Sequence, residues 1–154
     1  MKTFLILVLC LIVAIIVLMF IRGMMSKHGT ALGLTDGHLY KCADKLNCVY
    51  TEDPEDQSHY LSPISITHPA SLSIIKDIIR TMGGTIQLQN DSYIAATFTS
   101  SLFRFVDDLE IRVDSEESLI HIRSASRVGY SDFGVNKKRV ELLKQLYQDH
   151  LGDR

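Results

Sequence analysis

The chain has 154 residues, a formal net charge of −2, a mean hydropathy of +0.11 and no tryptophan. Its length fits one domain with an appendage. Its slight acidity argues against nucleic-acid binding, which needs a basic footprint.

The apolarity is concentrated at the start. Phe4 to Ile21, "FLILVLCLIVAIIVLMFI", holds no charged residue. As a helix this run spans roughly 27 Å, close to the hydrocarbon thickness of a bilayer. A cleavable signal peptide has a shorter apolar core, followed by small residues at the cleavage site. Here the run exits through "RGMMSKHG", and bulky Leu9 before Cys10 argues against a lipoprotein signal. The sequence therefore predicts an uncleaved signal-anchor, residues 4–21, whose partner is the lipid bilayer. Lys2 on one side nearly balances Arg22 and Lys27 on the other, a weak lean toward a cytoplasmic domain. Residues 22–39, rich in Gly, Ser and Thr, read as a juxtamembrane linker, and residues 40–151 as the folded domain.

"KCADKLNCVY" sets Cys42 and Cys48 in a polar loop. A disulfide suits an oxidising compartment; reduced structural thiols, a zinc ligand pair and a reactive thiol are the alternatives. No Cys-x-x-Cys or His-x-x-x-His accompanies them, and His28, His38, His59, His68 and His150 lack ligand spacing, so no metal and no cofactor is expected. "TEDPEDQ", residues 51–57, reads as a solvated loop.

Beyond it, Ile74, Ile75, Ile78, Ile79 and Met82 recur at helical spacing, with Ser71 or Ser73 available as cap and Gly83-Gly84 as stop. "TIQLQN" and "YIAATFTS" read as strands joined at Asp91-Ser92. Phe98, Leu102, Phe103 and Phe105 are expected in the core. "DDLEIRVD" alternates, and a turn at "SEES" returns the chain as "LIHIRSAS". That register pairs Ile111 with Ile122 and Val113 with Ile120 on one face. On the other, taken as the wet face, Glu110 meets Arg123 and Arg112 meets His121. Val135, Leu142, Leu143, Leu146 and Leu151 mark the buried face of a final helix. The predicted fold is α+β: a transmembrane helix, then a two-layer domain of four antiparallel strands and two helices.

The chemistry gathers in "IHIRSASRVGYSDFGVNKKR", Ile120 to Arg139. Arg123 and Arg127 share a face, and Ser131, Asp132 or Asn136 can cap the last helix. Lys137, Lys138 and Arg139 in its first turn oppose the helix dipole, by about 0.3–1 kcal/mol each. Either internal carboxylates (Asp107, Asp108, Glu110, Asp132) or a bound phosphate, carboxylate or lipid headgroup would relieve them. The favoured reading is a structural clasp within a non-catalytic binding or interaction module, with an anionic ligand or a protein as partner. The alternative is a membrane-tethered hydrolase using the Ser/Asp-rich segment 124–132, with Ser124, Ser126 or Ser131 beside Asp132 and His121. Against it, His121 sits mid-strand and no Gly-x-Ser-x-Gly elbow is present.

"RSASRVGYSDFGVNKKR", "FVDDLEI" and "CADKLNCV" together resemble the family known as domain of unknown function 1499, over roughly Lys41 to Leu151. The resemblance makes Arg123, Ser124, Ser126, Arg127, Gly129, Ser131, Asp132, Gly134, Asn136 and Arg139 signature positions, with Cys42, Asn47, Cys48, Asp107 and Asp108. Ala43 and Tyr50 stand where the family usually has Pro and Ser. The resemblance implies no established reaction. Its membrane-attached and lumen-facing members favour an extracytoplasmic domain.

Overall fold

The structure is a computed structural model that describes residues 1–68 and 71–152. Helix α1, Lys2–Ser26, is long and apolar enough to cross a membrane, and its side chains are exposed along nearly its whole length. Residues 22–39, expected as a linker, contain the end of this helix and a small hairpin. The hairpin pairs β1, Leu34–Thr35, with β2, His38–Leu39, around Asp36-Gly37. Both turn residues have positive φ, 52° and 82°, the conformation a tight two-residue turn requires and Gly37 supplies without strain.

The main sheet has six strands, not the four expected. Four run consecutively, as the sequence indicates: β5 (Thr85–Gln89), β6 (Tyr93–Thr99), β7 (Val106–Asp114) and β8 (Leu119–Ser126). Two short segments, β3 (Cys48–Tyr50) and β4 (Ile64–Ser65), add to the free edge of β8. Strands of three and two residues are too short to show a period-2 pattern, and their partner lies far along the chain. The β7–β8 register is the expected one, with Ile111 opposite Ile122, Val113 opposite Ile120, Glu110 opposite Arg123 and Arg112 opposite His121.

Helices α2 (Ser71–Thr81) and α3 (Val135–Gly152) cover one face of the sheet. Ile74, Ile75, Ile78 and Ile79 of α2 pack with Ile94, Leu109, Ile111, Ile120 and Ile122. The Ser71 hydroxyl meets the Tyr147 hydroxyl at 2.6 Å, tying the start of α2 to the end of α3. The buried line of α3 is Val140, Leu143 and Tyr147; Leu146 and Leu151 flank it, whereas Val135 and Leu142 are exposed. Those two lie seven residues apart on a neighbouring stripe, about 100° from Leu143.

The face read as wet is covered. Asp108, Glu110, Arg112, His121 and Arg123 are all buried, beneath the segment following α1, the β1–β2 hairpin and Thr51-Glu52. Alternation identifies which residues share a face, but not whether a later-packed segment lies over it. Of the four residues expected in the core at the end of β6 and beyond it, Phe98 alone is there. Leu102 is exposed, and Phe103 stacks edge-on against Phe20 of α1 and against Phe105.

Leu143→Ala empties a fully enclosed site and is expected to cost about 2–5 kcal/mol, whereas Leu142→Ala should stay within about 0.5 kcal/mol. Urea unfolding of the full chain in detergent micelles measures both. Equal effects would contradict this assignment of the helix face.

Candidate functional site

The sheet separates the polar segment into two networks. On the helix side, Asp132 caps α3: its carboxylate accepts the Gly134 N–H at 2.9 Å and the Asn136 N–H at 2.6 Å. This carboxylate meets the exposed amides where an external anion was a candidate. Asn136 is buried and donates its amide to Ser126 Oγ and to the Asn47 carbonyl, both at 3.0 Å. Its Oδ1 accepts the Ser124 hydroxyl at 2.6 Å and an N–H of Arg139. Arg139 also donates to Ser124 Oγ at 3.0 Å and to Asp107 at 2.8 Å, with its guanidinium 4.6 Å from the centre of the Phe98 ring. Asp107 thus neutralises the one cation of the first turn that points inward, while Lys137 and Lys138 are exposed.

On the other face, Arg123 donates to Glu110 at 2.8 Å. Glu110, with no exposed surface, also accepts the Tyr93 hydroxyl at 2.6 Å and the Gly33 N–H at 2.8 Å. Burial first, and then the hydrogen bond to Glu110, push the Tyr93 hydroxyl pKa up. Arg127 grips Asp108 through two hydrogen bonds, of 2.8 and 2.7 Å, and its third nitrogen donates to the Ser26 carbonyl at 3.2 Å. The Ser26 hydroxyl accepts the Val106 N–H at 2.9 Å. One turn earlier, a Cβ on Gly23 would lie 1.8 Å from the Phe103 carbonyl oxygen. Only glycine permits this approach. The end of α1 is therefore part of the folded domain. A cavity of about 300 Å³ opens beside this junction, between residues 27–31 and β6, with Asp108 and Arg127 in its wall.

The expected partners sort as follows. Asp108 reaches Arg127 and Glu110 reaches Arg123; Asp107 belongs to Arg139, and Asp132 to the helix cap. Ser124 and Ser126 are committed to Asn136, and Ser131 Oγ accepts the Phe133 N–H at 3.3 Å. His121 faces the opposite side of the sheet from Ser124 and Ser126, so these residues form no nucleophile–base pair.

His121, expected as an exposed strand residue, is buried. Its Nδ1 lies 3.2 Å from Thr51 Oγ1, and its Nε2 has no hydrogen-bond partner among the described residues. Burial, and then the charge of Arg112, hold its pKa below the ordinary histidine value. A ligand atom of His121 lies within 4.8 Å of those of Asp114 and Glu117, a set able to approach a cation. Asp114, however, already accepts the N–H groups of Glu116 and Glu117 and a 3.1 Å bond from Arg112. Arg112 binds Glu52 as well, at 2.5 Å. Thr51, Glu52 and Ser26 escape sequence reasoning because they come from the loop and the junction. Tyr93 was legible in principle, since it stands opposite Arg112 and therefore shares the sheet face of Glu110, two residues along β7.

Cys42 and Cys48 form a disulfide, buried against Tyr50 and Ala125. A family model described as "Protein of unknown function (DUF1499)" matches residues 38–146, from β2 through most of α3. No curated protein matches the chain.

Arg123→Met leaves the Glu110 carboxylate buried without its cation, and should cost about 3–5 kcal/mol; adding Glu110→Leu should restore much of that loss. Chemical denaturation of the single and double variants checks the coupling. Stability should also fall as pH drops below about 6.5, because unfolded His121 takes up a proton before folded His121 does. His121→Gln should reduce the loss in unfolding midpoint between neutral and mildly acidic pH.

Proposed function

Starting from the chain's membership of the DUF1499 family of proteins of unknown function, we propose that it is a single-pass, membrane-anchored interaction module with its folded domain on the extracytoplasmic side. The observation that carries this reading is the junction at Ser26. A cleaved signal peptide takes no part in the mature fold, yet the last turn of α1 supplies an acceptor to Val106 and another to Arg127. Its apolar surface is otherwise exposed, as a lipid-facing helix requires.

The Cys42–Cys48 bond supports the extracytoplasmic side, because disulfides persist in oxidising compartments. It outweighs the nearly balanced flanking cations, which give little orientation. The arginine corner is structural in this reading: Arg123, Arg127 and Arg139 each hold a carboxylate of the same chain. The hydrolase alternative loses its support, since its serines are hydrogen-bonded into the clasp and its histidine lies across the sheet.

Alkaline carbonate extraction of cell membranes should leave the full-length protein in the pellet, with α1 still attached by mass. In intact cells, Cys42 and Cys48 should take up an impermeant maleimide only after reductant is added. Release of a shortened protein would overturn the anchor. Labelling that requires cell lysis would overturn the side.

A further inference from the structure

We infer that the sheet end beside α1 rests on the bilayer surface, with the β6–β7 loop at headgroup depth and the β8–α3 loop as a second footing on anionic lipid. This rests on the anchor reading above. The antiparallel register brings these parts to one end: Thr99 pairs with Val106, Asp107 with Ser126, and Cys48 with Ala125. The loop between β6 and β7, the loop from β8 to α3 and the first turn of α3 therefore all project from the end to which α1 is joined.

Depth follows from the Phe20–Phe103 contact, with ring centres 5.2 Å apart. Phe20 lies within the uncharged run that ends at Ile21, so a ring stacked on it sits near the membrane–water boundary, where aromatic side chains concentrate. The next residues to either side are Leu102, 67 % exposed, and Arg104, also exposed: an apolar group to enter the interface and a cation to meet phosphate. In the second loop, Tyr130 is 62 % and Phe133 92 % exposed. Phe133 also adopts φ of +56°, a conformation costly for a bulky side chain, while its ring stands in solvent. Within the chain that outward ring has no use; against a bilayer it does.

Charge points the same way. Lys137 and Lys138 follow Phe133 closely, unfavourably placed at a helix N-terminus and both exposed; Lys137 lies 4.0 Å from the Glu141 carboxylate, a loose, solvent-exposed pair that leaves most of its charge outward. The turns at the opposite end of the sheet carry Asp91, Glu116 and Glu117. The end beside α1 has its own acids, but Asp132 is committed to the helix cap and Asp44 adjoins Lys45. Although the chain is acidic overall, it is polarised along its strands, with the basic end toward the membrane. Each Lys or Arg held near an anionic surface contributes about 1 kcal/mol. A protein partner would meet the same side chains, but the bilayer already holds α1 at this end.

The chain contains no tryptophan, so single reporters are clean. Full-length Leu9→Trp, Leu102→Trp and Phe133→Trp variants are reconstituted into phosphatidylcholine or phosphatidylcholine/phosphatidylglycerol vesicles containing brominated lipid. Leu9→Trp should be quenched by bromine deep in the acyl chains, and Leu102→Trp by shallow bromine. Phe133→Trp should be quenched more with phosphatidylglycerol present, and less after Lys137→Glu and Lys138→Glu. Quenching of Leu9→Trp alone, with water-like emission from the other two, would overturn the inference and leave the anchor intact. Quenching of Leu102→Trp without Phe133→Trp would overturn the second footing. Unquenched Leu9→Trp would overturn the anchor itself.

Discussion

Glu110 holds a carboxylate with no exposed surface in the middle of the sheet, and much of the molecule's second layer is arranged around satisfying it. An unpaired charge at that depth would be strongly destabilising. Arg123 comes from the neighbouring strand, Tyr93 from the strand on the other side, and the Gly33 N–H from the segment that leaves α1. The third partner has the largest structural consequence. It draws residues 27–39 down over a sheet face that would otherwise be open to water, and so continues the domain up to the end of α1.

Arg127 completes that continuity. By holding Asp108 with one edge of its guanidinium and the Ser26 carbonyl with the remaining nitrogen, it satisfies a carbonyl at the end of α1 that has no partner within the helix. Lysine has no planar fork and could not reproduce this arrangement. Gly23 lets the helix approach the Phe103 carbonyl, and the Ser26 hydroxyl closes the gap to Val106. These contacts set the angle between helix and sheet. A helix joined by a free linker would leave the domain to tumble against it; a built junction fixes one chosen end of the domain beside the helix.

The two arginine networks share a strand but not a face. Ser124, Ser126 and Arg139 brace the terminal helix, while Arg123 and Arg127 brace the segment after α1. Read as letters, "RSASR" looks like one polar site, because serine and arginine are interleaved. Read as a strand, the same alternation deals its residues to opposite sides. The segment is therefore a pair of braces back to back, and this accounts for its density of polar residues.

Short-range features can be read from the residues alone: the apolar span of α1, the isoleucine stripe of α2, the four consecutive strands, and the β7–β8 register with its Glu110–Arg123 and Arg112–His121 pairs. Periodicity and turn length specify such features locally, since each residue's neighbours along an element are set by helical or strand geometry. Long-range packing settled the rest. β3 and β4 became strands because β8 offered a free edge, and of the two roles the sequence allowed Asp132, helix cap or arginine partner, the turn of the chain into α3 selected the cap. His121 was buried, and the supposed wet face dried, because residues from far along the chain folded over it. Contacts of that kind are chosen by which distant surfaces fit and which buried charges must be met, and no local pattern in the sequence carries that information.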